Sequence, residues 1–321
     1  DWRTDVGATC HGIIYVVYID VDGDWKVKSE FLELIECNGS SAEALTATVE
    51  QCLKRWGIWA TLKAFCSDGA AVMVGEHTGV ATRLAEKCAC LISNHCIGHR
   101  GALAAADAFD DVAFCHKLDE CMRALSNFHS NSTERLKQLN ILCELNNYPA
   151  NAVASSAKTR WLTVGIVNDS VLEKYDSVME QHDIQSGESI TSARLYSHLS
   201  DYRYFGELCH CGDVLQRMNI VSRLFQKSHP DGHEVKEAVD ALTGGLERDF
   251  EGESIRWGAN MKVLADNIPD YDNSPSNFMY GSRGGFEITM SATKRDQHEK
   301  FAKVLAAAVK RRYLLRFPHA G

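Results

Sequence analysis

Apolar residues follow two different periods along this chain, and the change falls near Arg100. Before that point they come in short β-branched and aromatic runs. After it they recur at helical spacing. Ile13-Ile14-Tyr15-Val16-Val17-Tyr18-Ile19, within His11 to Asp20, is an almost unbroken run that predicts a central strand buried on both faces. Asp20 to Asp24 is a turn, and Trp25 to Cys37 the returning strand of a hairpin. The aspartates of that turn do not make a calcium loop, which needs further ligands and a closing Glu. Ser40 and Glu43 have the spacing of a capping box, followed by Leu45, Val49, Cys52, Leu53 and Trp56 on one helical face, ending at Gly57. Leu62 to Cys66 reads as a strand, Val80 to Cys88 as a helix and Leu91 to Ser93 as another strand.

Beyond Arg100 the pattern predicts helices over Gly101 to Phe109, Val112 to Phe128, Ser132 to Leu145, Leu162 to Met179, Ser192 to Leu199, Phe205 to Lys227, Val235 to Leu264 and Ala292 to Arg316. Asn267 to Gly285 reads as a long loop. The chain divides softly into an α/β part over 1–165, its first strand truncated, and a helical part over 166–321. Asp1 to Gly7 trails from a strand that ends near Asp1, and without an initiating Met the chain reads as a fragment.

With 45% hydrophobic residues and only 5 prolines among 321 residues, the chain can bury a real core. No apolar run approaches the roughly 20 residues of a membrane span, and no secretory signal appears. A net charge of −9 argues against a freestanding nucleic-acid binder, though not against an enzyme whose acidic site uses cations or one whose DNA-binding module lies elsewhere. The 12 cysteines are scattered singly, which suits reduced thiols in an intracellular protein better than a disulfide framework.

Chemically capable residues gather after two of the short strands. Ser67 and Asp68 follow Leu62 to Cys66, and Asn94 to His99 follow Leu91 to Ser93. Strand ends are where ligands meet open α/β sheets. Gly69 and the small residues after it let the chain turn sharply beyond Asp68. Asp68 is then either a metal-binding or general-base carboxylate, or a cap for the helix that follows.

Asp68-Gly69-Ala70-Ala71-Val72-Met73-Val74-Gly75, His77-Thr78-Gly79-Val80 and Asn94-His95-Cys96-Ile97-Gly98-His99-Arg100 resemble the hAT superfamily of DNA transposases, and more closely the transposon-derived zinc-finger-type proteins of animals. The resemblance implies an RNase H-like mixed-sheet core, whose order of strand, strand, strand, helix, strand, helix, strand this chain's pattern repeats, followed by an all-helical insertion domain. Asp68 would be the second catalytic carboxylate. Asp1-Trp2-Arg3-Thr4-Asp5 is similar to the family's D-x-x-T-D segment, which makes Asp1 the first; its other reading is a frayed polar terminus. Asp1 and Asp68 together would hold Mg²⁺ or Mn²⁺ for cleavage and transfer of DNA strands, because two-metal phosphoryl transfer needs carboxylates within reach of both ions. Cys96 and His99 match a C-x-x-H pair that supports the active site.

Thr159-Arg160-Trp161 matches an R-W pair at the border of the family's core and insertion. Arg160 would contact phosphate, and Trp161 would stack on a base displaced from the duplex or else anchor the core. The family's third catalytic residue, a late Glu, has no match here, and neither Glu287 nor Glu299 carries the surrounding pattern. The chain is therefore expected to be catalytically incomplete, with DNA as partner, and self-association through a C-terminal segment, only in the full-length nuclear protein. A zinc site from Cys88, Cys90, Cys96 and His99 fits poorly, since C-x-C is bad zinc spacing. Cys209-His210-Cys211 falls on alternating sides of a helix. Lys310, Arg311, Arg312 and Arg316 make a basic patch or a solvated face. The competing function is that of a domesticated, non-enzymatic interaction protein.

Overall fold

The computed structural model describes residues 2–4, 10–23, 25–37, 39–149, 161–227, 231–252, 254–267, 277–281, 285–288 and 295–318. The chain forms two compact units, one of residues 1–100 with 225–230 and one of 101–224 with 231–321. The division falls at Arg100, where the helical period begins, and not near residue 165.

The first unit is α/β. Strands β1 (Trp2–Thr4), β2 (Cys10–Ile19) and β3 (Val27–Cys37) make an antiparallel sheet in that order. The strand at the N-terminus thus runs through Trp2–Thr4 and does not end near Asp1. In the β2–β3 ladder Ile14 faces Glu33 and Tyr15 faces Phe31, so Leu32 is the extra residue of a bulge. Helix α1 (Ala42–Arg55) is capped by Ser41, whose Oγ accepts the Ala44 amide at 3.2 Å. The cap is one residue later than the Ser40–Glu43 spacing indicates, which puts Ala44 at the third helical position and leaves no reciprocal Glu. Gly57 takes the left-handed φ of 71° that ends the helix, as its position in the pattern requires. A single 3-10 turn at Trp59–Thr61 leads to β4 (Ala64–Ser67), followed by the short α2 (Ala71–Val74), α3 (Val80–Lys87) and β5 (Ile92–His95).

Leu45, Val49 and Leu53 of α1 join Cys37, Met73, Val80 and Leu84 in one buried cluster, with Ile14, Leu32 and Phe65 packed against it. Trp56 Nε1 donates to Glu33 Oε2 at 2.8 Å and Arg55 to Glu33 Oε1 at 2.5 Å, fastening the end of α1 to β3. These hydrogen bonds hold the Glu33 carboxyl below the usual range, the Arg55 bond foremost. β2 is covered on this side alone. Ile13, Tyr15, Val17 and Ile19, which project the other way, are all exposed, against the expectation of a strand buried on both faces.

The second unit is helical: α4 (Ile97–Asp110, its first turn still in the first unit), α5 (Ala113–Ser130), α6 (Thr133–Leu145), α7 (Trp161–Glu173), α8 (Tyr175–Gln185), α9 (Ile190–Leu199), α10 (Tyr202–Phe225), α11 (Gly232–Phe250), α12 (Ala259–Asp266) and α13 (Arg295–Arg316). A hairpin of β6 (Phe278–Tyr280) and β7 (Phe286–Ile288) interrupts the expected loop over 267–285. In the unit's core Phe109, Leu118, Met122, Leu125, Leu139, Phe205, Leu208 and Phe250 are all without accessible surface. Two predicted helices are each divided. The stripe over 162–179 breaks at buried Lys174, where the Tyr175 hydroxyl donates to the Leu199 carbonyl at 3.1 Å. The stretch over 235–264 breaks after Phe250, because buried Asp213 of α10 accepts the Asn260 and Met261 amides at 2.9 and 3.1 Å and starts α12 there. Gly258 is needed at that start, since a methyl group on it would run into the Asp213 carboxyl.

Candidate functional site

β4 and β5 are parallel, with Cys66 opposite Asn94 and Ser67 opposite His95. Parallel pairing sends both chains out of the sheet at the same end, so Asp68-Gly69 and Cys96 to His99 emerge side by side. The Cys96 amide donates to the Ser67 carbonyl at 2.8 Å, extending the ladder by one bond. Past it, α4 begins at Ile97, and its first-turn amides lie at this same end of the strand pair.

Asp68 is half-buried. Its Oδ1 accepts the Ala70 amide at 3.1 Å. That bond closes a local turn of the kind aspartates favour. It does not cap α2, whose N-cap is Ala70 with no side-chain bond. Of the two uses open to Asp68 from sequence, helix capping is therefore not realised.

Gly69 is fixed by its neighbour: a methyl group there would collide with the His95 imidazole. The His95 and His99 rings lie 5.3 Å apart and are tilted by 44°. Asp68, His95, Cys96 and His99 thus share one half-exposed rim. Cys66, on β4, has its thiol pushed up by burial and secondarily by nearby Cys96. The next turn is equally tight: a methyl group on Gly79 would come within 2.7 Å of the Gly75 carbonyl oxygen, and Thr82 Oγ1 donates to that oxygen at 2.9 Å.

The other residues singled out from sequence are distributed as follows. Asp1 and Arg160 lie outside the described residues. Trp161 is the first residue of α7, in the helical unit. His95 was not singled out, although the strand register that sets it opposite Ser67 places it in the middle of the rim. Cys88 is buried at the end of α3, whereas Cys90 is exposed with a left-handed φ of 65°. Among the described residues no group of three or more His, Cys, Asp or Glu could hold a metal ion. The described rim offers one carboxylate among imidazoles and a thiol, a donor set that by itself does not fit Mg²⁺, which prefers several hard oxygen ligands.

No protein-family model matches this chain.

Cys209, His210 and Cys211 are all buried, because α10 is enclosed along much of its length. Nor do the cations of α13 form a free basic patch. Arg312 grips Asp111 through both carboxylate oxygens at 2.6 and 2.7 Å, and Arg311 joins it at 2.5 Å. Arg316 pairs with Asp107 at 2.7 Å, and Lys310 reaches Glu247 and Glu251 at 3.2 Å each. These bonds hold the Asp111 carboxyl well below the usual carboxylate range, Arg312 contributing most. Among the described residues no helix is long and apolar enough to cross a membrane.

Proposed function

We propose that the α/β unit is the RNase H-like core of a hAT-type transposase, or of a host protein derived from one, and that the helical unit is its insertion. The observation that carries this reading is the arrival of Asp68 and of His95, Cys96 and His99 at one end of a parallel strand pair. The element order supports it as well: a three-stranded antiparallel sheet, a helix, a strand, short helices, a parallel strand, then a helix. In intact relatives the reaction is metal-dependent cleavage and transfer of DNA strands, at work in the nucleus. Asp68 would be one metal-binding carboxylate of that site and Asp1 the other, with Arg160 and Trp161 engaging DNA. Within this chain Asp68 projects from a turn fixed by the Ala70 amide, and the His95 ring against Gly69 sets how closely the two loops approach.

A second reading has its own support. The net charge of −9, and a set of α13 cations spent on internal ion pairs, favour a domesticated protein that keeps the fold for interaction and has lost the reaction. A plasmid-nicking assay on the full-length protein with Mg²⁺ or Mn²⁺, beside its Asp68→Ala variant, separates the two. Nicking that the variant loses supports the enzyme. Equal nicking by both removes Asp68 from the reaction, and none by either leaves the interaction protein.

A further inference from the structure

The β2–β3 hairpin carries an apolar face that is exposed along its length. Ile13 stands opposite Leu34, Tyr15 opposite Phe31, Val17 opposite Ser29 and Ile19 opposite Val27, all on the side away from α1. The seven apolar members of this set are each between 43 and 61% exposed. Tyr15 and Phe31 already meet edge to face, with ring centroids 5.9 Å apart, so the surface is pre-packed. Together they present roughly 600–800 Å² of contiguous surface, more than a monomer usually leaves bare and close to the ~800 Å² each partner gives to a stable interface.

We propose that this face docks on the same face of a second copy of the chain, as a two-fold stack of two hairpins. The argument is one of charge as well as area. Between the Ile13–Leu34 and Ile19–Val27 pairs this face carries no carboxylate, ammonium or guanidinium group; Glu36, opposite His11, stands at its end. Two copies, each with a net charge of −9, repel one another over most of their surface, but here they can close without burying a charge. A nucleic acid would need cations that the face lacks. A two-fold contact uses one self-complementary patch twice, so a uniform apolar strip satisfies it without a second surface. The sequence of β2 agrees, being apolar at both odd and even positions although α1 covers only one side. This contact is independent of the chemistry at Asp68.

Sedimentation velocity over about 1–100 µM tests it, a range that brackets dissociation constants on the order of ten micromolar. The intact chain is expected to pass from monomer to dimer. Val17→Lys and Phe31→Asp, made separately at exposed positions, are each expected to weaken dimerisation at least tenfold while leaving the far-ultraviolet circular dichroism unchanged. A chain that stays monomeric over the whole range overturns the proposal, as does a dimer that both variants leave intact. Open-ended assembly in place of a dimer overturns it too. A monomer that binds an apolar fluorescent dye, with binding lost in both variants, likewise overturns it and assigns the face to a different protein.

Discussion

In the helical unit Asn168, Ser177, Gln181, His182 and Ser192 have no accessible surface, whereas in the α/β unit Asp68, His95, Cys96 and His99 all keep some. The buried set is bound into the packing: His182 Nδ1 lies 2.9 Å from Ser192 Oγ, and the Gln181 amide donates to the Arg135 carbonyl at 2.7 Å. The rim set is held from behind by backbone bonds and a close-packed glycine; each of its residues keeps some accessible surface, while the Nε2 of His95 is itself buried. Reactive residue types are thus present in both units, locked into the core at His129, His182 and His210 of one and partly exposed at the rim of the other. The buried histidines and cysteines of the helical unit are packing groups, whereas Asp68, Cys96 and His99 at the β4–β5 rim keep accessible surface.

The largest test of this contrast is in the cores. Phe250→Ala in the helical unit is expected to cost ~3–5 kcal/mol, and Leu84→Ala in the α/β unit ~2–5 kcal/mol, since each leaves a cavity at a position with no exposure. Phe31→Ala, on the exposed face, is expected to stay within about 0.5 kcal/mol in the monomer. Denaturant titrations followed by circular dichroism read all three. A Phe31→Ala cost equal to that of Leu84→Ala would mean that the hairpin face is already buried.

Acid comes next. Burial pushes His182 and His210 down to about 3 and His298 to about 4, from an ordinary 6.5. The unfolded chain therefore binds protons that the folded helical unit refuses. The stability from these groups is fully present above pH 6.5 and is lost as pH falls from there toward 4 and then 3. Each such group costs ~1.4 kcal/mol per pH unit within its window. The denaturant midpoint should fall steeply between neutrality and about pH 4.5, and His210→Leu should flatten that slope by one group's share. An unchanged slope in the variant would show that His210 reaches solvent and that the two units are less different than described.

At the rim, Gly69→Ala is expected to destabilise by ~1–3 kcal/mol, because the added methyl group must displace the His95 ring or the β4–β5 ends. Pairing it with His95→Ala sharpens the point: removing the imidazole should recover most of the loss. Additive costs in the double variant would mean that the two residues are not in contact.

What the sequence disclosed follows from the kind of signal each element carries. The hairpin, α3, α5, α6, α10 and α13 were legible because a period or a capping residue marks them locally. The break at Lys174 has no Gly or Pro beside it, and the bond that ties Tyr175 to Leu199 there is remote in sequence. The start of α12 depends on Asp213, some forty-five residues earlier in the chain. The rim was half legible. Asp68 and the C-x-x-H spacing stand out in a linear reading, but the place of His95 comes from parallel register, which no single segment encodes. The bare side of β2 was misjudged for a related reason. An apolar run says that both faces want cover, not that the same chain supplies it.

The smallest effect bears on the α/β unit's own boundary. Ser41 Oγ accepts the Ala44 amide, so Ser41→Ala removes the partner of an otherwise orphaned donor and is expected to cost ~1 kcal/mol. Ser40→Ala, next to it and exposed, is expected to change stability by less than about half of that. Linear spacing favours Ser40, through Glu43, while the backbone favours Ser41, whose φ of −72° and ψ of 150° are those of a capping residue. Because α1 is the only helix fastened to β3 through Glu33 among the described residues, loosening its first turn reports on the covered side of the sheet. The loss should appear as earlier thermal unfolding of the α/β unit with the acid response of the helical unit unchanged. A Ser40→Ala loss larger than the Ser41→Ala loss would move the start of α1 back by one residue and restore the reciprocal box with Glu43.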